Sequence, residues 1–148
     1  MRKCTIFVLT FLACTLSLFA QSTIIKSGEC TIQEADAFDE SKLWITELKN
    51  EEVKIVVNVR GGEFFDNFVI MTSPKVTNLS DQKKYISFNL AFFNQKGILV
   101  ACTSISNGLE KGTENMQIGA SMPAVSPSLI SDITSYQATV YVFEGKKE

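Results

Sequence analysis

Polar and apolar positions alternate most clearly over residues 83–105, KKYISFNLAFFNQKGILVACTSI. In an extended chain, Ile86, Phe88, Leu90 and Phe92 fall on one face, and Tyr85, Ser87, Asn89 and Ala91 on the other. This period of two, in β-branched and aromatic residues, predicts a strand. Asn94, Gln95, Lys96 and Gly97 break the pattern, and Gly97 offers the positive φ that a tight connection often needs. Ile98, Leu99, Val100 and Ala101 resume as an apolar run. Burying such side chains is worth roughly 1.5–3 kcal/mol each, so the predicted hairpin belongs at the centre of a sheet, not at its edge.

The rest of the chain supplies partners. Residues 21–32 predict an extended lead-in or first strand, and residues 42–48 a strand carrying the single tryptophan, Trp44. Over residues 53–60, Val53, Ile55, Val57 and Val59 face one way, and Gly61-Gly62 predicts a turn. Residues 64–71 predict a strand buried on both sides, and residues 73–82 a loop opened by Pro74. Asn107-Gly108 and Gly112 mark further turns. Residues 113–121 predict a strand, residues 129–133 one helical turn, and residues 135–143 a closing strand with Tyr136, Ala138, Val140 and Val142 inward. Seven or eight short strands at near-even spacing, with no amphipathic helix beyond two turns, predict an all-β sandwich or small barrel.

The N-terminus departs from this pattern. Arg2 and Lys3 precede a mostly apolar stretch over residues 6–19, then Ala20, Gln21 and Ser22. That layout predicts a secretory signal peptide over residues 1–20, followed by one domain over residues 21–148. Cleavage after Ala20 is favoured slightly over cleavage after Ser22. The apolar run is short for an uncleaved anchor. The approach Phe11-Leu12-Ala13 fits acylation at Cys14 poorly. No second hydrophobic span follows, so the mature chain is expected to be soluble, secreted or periplasmic.

Losing residues 1–20 removes Arg2 and Lys3 and no acids, which takes the net charge from −2 to −4. A mildly acidic chain without a basic run suits neither nucleic acid nor anionic lipid. Cys4 and Cys14 leave with the leader. Cys30 and Cys102 remain, and two cysteines in an exported chain predict a disulfide. It would close a loop of about 73 residues, worth on the order of 4 kcal/mol. The alternative is two separate buried thiols.

A family resemblance adds to this reading. Val76-Thr77-Asn78-Leu79-Ser80, the turn Ala91-Phe92-Phe93-Asn94-Gln95-Lys96-Gly97, the turn Leu109-Glu110-Lys111-Gly112-Thr113 and a last Tyr-bearing strand over residues 136–143 follow one another in order. This half of the chain, residues 76–143, resembles the FxLYD-type, immunoglobulin-like domains of exported bacterial proteins. Asn94 stands where those domains have Asp, and Lys111 where they have Pro. The resemblance implies an immunoglobulin-like antiparallel β-sandwich of seven to eight strands, acting as an extracytoplasmic interaction or accessory module without catalytic residues.

Candidate chemistry is sparse. The chain has no histidine, which removes Ser-His-Asp and Cys-His catalysis and nearly all zinc sites. There is no CxxC and no phosphate-binding glycine loop. Glu34, Asp36, Asp39 and Glu40 form an acidic cluster, but their spacing fits no EF-hand, and a solvated face is the expected reading. Glu47, Glu63 and Asp66 offer carboxylate pairs of the kind glycoside hydrolysis uses, with little room for a cleft. Asn78-Leu79-Ser80 fits the glycosylation sequon.

No enzyme, cofactor or metal is therefore expected. The leading expectation is a module that binds a protein partner in the cell envelope, with sheet edges open to strand addition. The alternative is a small carbohydrate- or ligand-binding module using Trp44, Phe64 and Phe65 as an exposed aromatic platform. Against that platform stands the possibility that Trp44 packs in the core.

Overall fold

The structure is a computed structural model, and it describes residues 22–35, 39–119 and 123–144. The leader expected over residues 1–20, Asp36 of the acidic cluster, the end of the strand expected over residues 113–121 and the charged tail 145–148 lie outside the described residues. Among the described residues are eight strands: β1 (Ser22–Glu29), β2 (Trp44–Lys49), β3 (Val53–Phe64), β4 (Asn67–Asn78), β5 (Lys84–Asn94), β6 (Leu99–Leu109), β7 (Met116–Gln117) and β8 (Ile133–Glu144). A 3₁₀ turn, Glu40–Lys42, precedes β2, and a one-turn helix, α1 (Pro127–Ile130), precedes β8. The strands form two four-stranded antiparallel sheets, ordered β1-β8-β5-β6 and β2-β3-β4-β7. They pack as an immunoglobulin-like sandwich.

Alternation builds the core. Val53, Ile55, Val57 and Val59 of β3 are all 0% exposed. They meet Ile86, Phe88, Leu90 and Phe92 of β5 and Tyr136, Ala138, Val140 and Val142 of β8 in one cluster. The inward residues of β5 and β8 lie in register, with Phe88 opposite Val140 and Leu90 opposite Ala138. The β5–β6 turn forms as its sequence implies. Gly97 has φ +74°, and the Asn94 side-chain oxygen accepts from Lys96 N and Ile98 N, each at 3.0 Å.

Five expectations change. The hairpin is only half central, because β5 lies between β8 and β6 while β6 forms the sheet's edge. Gly61-Gly62 is not a turn, and β3 runs on to Phe64. Glycine serves close approach there: Gly61 N donates to Gln33 O at 2.8 Å, and a Cβ on Gly61 would sit 3.2 Å from Ile130 Cδ1. Of the expected loop over residues 73–82, residues 73–78 are instead the second half of β4, and only residues 79–82 form a loop. Pro74 fits because its carbonyl accepts from Ile118 N beyond β7 (3.2 Å), so its missing N–H falls on the thinly covered side of β4. Asn107-Gly108 lies inside β6, and the strand expected from residue 113 shrinks to β7.

Polar groups close one end of the sandwich. Lys84, 3% exposed, is in phase with Ile86 and Phe88 and points inward. Its Nζ donates to Glu52 Oε1 at 2.6 Å. The other Glu52 oxygen accepts from Ser22 Oγ, and Ser22 Oγ accepts from Asn50 Nδ2 at 2.9 Å. Nearby, Asn78 Nδ2 donates to the carbonyls of Gln82 (2.8 Å), Glu110 (3.1 Å) and Leu109 (3.2 Å). Its Oδ1 accepts from Ser80 N at 3.0 Å and Ser80 Oγ at 2.8 Å. Asn78 is therefore a buried cross-link, and its amide is not presented to solvent as a glycosylation acceptor.

Replacing Asn78 by alanine leaves those carbonyls without their donor. The expected cost is about 2–3 kcal/mol, read as a lower urea midpoint at unchanged slope. Glu52 makes a pH prediction. Burial pushes its carboxyl up, but hydrogen bonds from Lys84 and Ser22 and the Lys84 charge outweigh this and hold it below the ordinary 4.5. A lowered folded pKa contributes stability above the unfolded value and loses it as pH falls through the folded one. Wild type is thus expected to lose stability more steeply than Glu52→Gln below pH 4.5, the two curves converging in acid.

Candidate functional site

The opposite end of the sandwich gathers the features that polar side chains do not close. Register places them together: Glu29 of β1 lies opposite Ser135 of β8, and Asn94 of β5 opposite Ile133. The start of β2 reaches this end through Trp44, whose ring meets Phe92 at 5.9 Å and Tyr136 at 4.6 Å, both edge-to-face. These contacts join one sheet to the other. Tyr136 OH and Thr46 Oγ1 lie within hydrogen-bonding distance, 3.2 Å, so the buried phenol is satisfied.

Two shallow depressions flank Cys30 and Thr31 here. One, about 400 Å³, is lined by Glu29, Gln33, Ser41, Lys42, Leu43 and Trp44 as well. The other, about 570 Å³, adds Asn94, Gln95, Gly97, Thr134 and Ser135. Both are rimmed mainly by polar groups and open to solvent.

Beyond them projects the β3–β4 hairpin. Glu63, Phe64, Phe65, Asp66 and Asn67 at its tip are all exposed. Phe64 is 43% and Phe65 83% exposed, and their rings meet edge-to-face at 4.5 Å. The reversal runs through Phe65 and Asp66 with φ of +47° and +60°. That region is disfavoured for a bulky side chain. Asn67 Nδ2 donates to Phe65 O at 2.9 Å and ties the turn.

The three aromatics expected to act together do not form one platform. Trp44 lies opposite Val59 on β3, five residues before Phe64, a separation of about 17 Å along the strand. Half-buried Trp44 is part of the core's end wall, whereas Phe64 and Phe65 stand clear of the body. The expectation that residues 64–71 are buried on both sides fails at its first four positions, which are exposed, and holds at Val69 and Ile70.

The expected Cys30–Cys102 disulfide is not formed; both cysteines are free. Cys30 follows β1 and Cys102 lies on β6, the two opposite edges of one four-stranded sheet. Three inter-strand steps separate those edges by about 14 Å, twice the roughly 7 Å that a disulfide tolerates. Their side chains also differ in environment, with Cys30 buried and Cys102 exposed. Desolvation pushes the Cys30 thiol up to about 11, so it carries no reactive thiolate near neutral pH.

The acids disperse. Asp39 accepts from Ser41 Oγ at 2.5 Å and Ser41 N at 3.2 Å, which fixes the 3₁₀ turn, and Glu47 pairs with Lys54 at 3.0 Å. Glu34, Glu63 and Asp66 are exposed. Among the described residues, no three His, Cys, Asp or Glu side chains are grouped to hold a metal ion, and no helix is long and apolar enough to cross a membrane. The Lys84–Glu52 network had a sequence signal, since Lys84 occupies an inward position of an alternating strand. The exposed tip had a partial one: Phe64 and Phe65 are named as exposed aromatics, but the pattern groups them with Trp44 and does not place them on a hairpin tip.

No protein-family model matches the chain, and no curated protein matches it. The FxLYD-type resemblance thus reduces to the immunoglobulin-like fold. Among solved structures, the chain is similar to the Salmonella enterica trimeric lipoprotein SadB, at 12% identity and a TM-score of 0.46, over 95% of this chain and 73% of that one.

Thiol labelling separates the two cysteines. In the native protein, a maleimide is expected to modify Cys102 within minutes and to spare Cys30 until denaturant is added. Non-reducing mass spectrometry should show no loss of two protons between them.

Proposed function

We propose that the chain is an exported, non-enzymatic interaction module that binds a protein partner in the cell envelope through the tip of the β3–β4 hairpin. The observation that carries this reading is the exposed Phe64–Phe65 pair, held away from the body on a backbone in the left-handed region. Apolar surface presented in this way is stabilised only when something covers it. Strained backbone at an exposed tip also suits a contact element better than a structural one. Glu63 and Asp66 flank the rings, so the complementary surface is an apolar pocket rimmed by Lys or Arg. Export itself rests on the leader-like N-terminus.

A second reading, a small carbohydrate or other ligand held beside Trp44, has one observation in its favour. The indole borders a depression whose other walls are mainly polar. That depression is wide and shallow, and the ring is already engaged by Phe92 and Tyr136.

Site-specific photo-crosslinking tests the first reading. A benzoylphenylalanine at position 65 is expected to trap one envelope protein in cells, and the same probe at the exposed Lys111 on the far end is expected to trap none. Phe65→Ala should weaken that complex about 10- to 100-fold, the equivalent of about 1.5–3 kcal/mol for one buried aromatic, while leaving the unfolding midpoint unchanged. Equal trapping at both positions would remove the tip from the interface. A saturable change in Trp44 fluorescence on titrating oligosaccharides would favour the second reading.

A further inference from the structure

We infer that β6 is a self-association edge, at which two copies of this chain pair antiparallel about a two-fold axis. Among the described residues, β6 has a hydrogen-bonded neighbour on one side only, β5. Its outer side presents a row of backbone N–H and C=O groups, and the partner that satisfies such a row is another extended strand. The edge is eleven residues long, about 36 Å at the usual rise.

Sheet edges that must stay single are blunted by charge, proline or bulges. The other side of the sandwich shows that protection. β1 carries Lys26 and Glu29, and Lys26 Nζ donates to Glu47 O on β2 at 2.9 Å, bridging the two edges. On β2, Glu47 pairs with Lys54. β6 has no such device along most of its length. Residues 98–109, ILVACTSISNGL, contain no charged residue and no proline. The one irregularity falls near its start: Phe92 lies opposite Ala101 and Phe93 opposite Leu99, which leaves Val100 as a bulge. Regular pairing with β5 then continues to Leu109.

The choice of a second copy over a foreign strand follows from the same residues. The outward side chains beyond the bulge, Cys102, Ser104 and Ser106, are exposed, small and neutral. Like charges directly opposite destabilise a cross-strand pair, and β6 facing itself brings none together. A two-fold axis makes the edge its own complement. The result is a continuous eight-stranded sheet across two protomers, with the β3–β4 tips left free at the ends.

The test uses the full-length gene product carrying Cys4→Ser and Cys14→Ser, purified after export. Light scattering across a concentration series is expected to show a dimer. Ser104→Lys/Ser106→Lys should be monomeric, and so should Ser104→Glu/Ser106→Glu, both with unfolding midpoints close to wild type. Mixed in equal amounts, the two variants are expected to recover a dimer, because opposite charges now face each other across the pair. This recovery cannot come from misfolding. A wild-type monomer throughout the series overturns the inference, including one that captures some other protein's strand. So does a wild-type dimer that both variants retain, or a mixture that stays monomeric.

Discussion

Two sheets share one core, and every long strand must hold its phase for them to do so. Side chains alternate at a period of two, so a slip of one residue would turn a whole inward row to solvent. β5 is the most constrained element. It is in register with β6 on one side and β8 on the other, while its inner face meets β3 in the same cluster. Phase is released at only one place. Both of its ladders shift near Phe93, against β6 between Phe92 and Phe93 and against β8 between Phe93 and Asn94. There the chain leaves the sandwich and builds the end that carries Cys30, Trp44 and the β5–β6 turn.

How much of this the sequence reveals depends on whether a residue's role is local. The alternation of β3, β5 and β8 is legible, because inward position follows from parity alone. Gly97 is legible because a tight turn needs it. Gly61 and Pro74 mislead, since each has a meaning that only a distant segment supplies: residues 33–35 for Gly61, and the chain beyond β7 for Pro74. The cysteines mislead for a related reason. Counting two of them in a chain expected to be exported says nothing about which edge of a sheet each occupies, and sheet order is decided by pairings far apart in sequence. Phe64 and Phe65 are legible as candidate exposed aromatics, but their separation from Trp44 is not, because the reach of a hairpin tip depends on how far β3 and β4 extend beyond their neighbours.

The two ends of the sandwich are built on different principles. One is closed by satisfied polar groups, with Asn78 joining β4, the loop that follows it and the end of β6, and Lys84 reaching Glu52 across the sheets. Buried groups of this kind are costly to open, because each donor removed leaves acceptors behind. The other end is closed by aromatic edges and bordered by shallow, wet depressions, which tolerate change. Contact surfaces tend to be carried on the tolerant end of a rigid frame, and that is where the exposed phenylalanines stand.

Ser22 stands at the closed end, beside the point where the expected leader would be cut. It is the first residue of β1, and its hydroxyl bridges Asn50 and Glu52. A leader peptidase cutting after Ala20 leaves that hydroxyl in place. One cutting after Ser22 takes it away, exposes a new ammonium at Thr23, and leaves Asn50 and Glu52 each short of a partner. Were the expected leader removed, the two candidate products would differ by two residues and in whether this hydrogen-bonded bridge is complete.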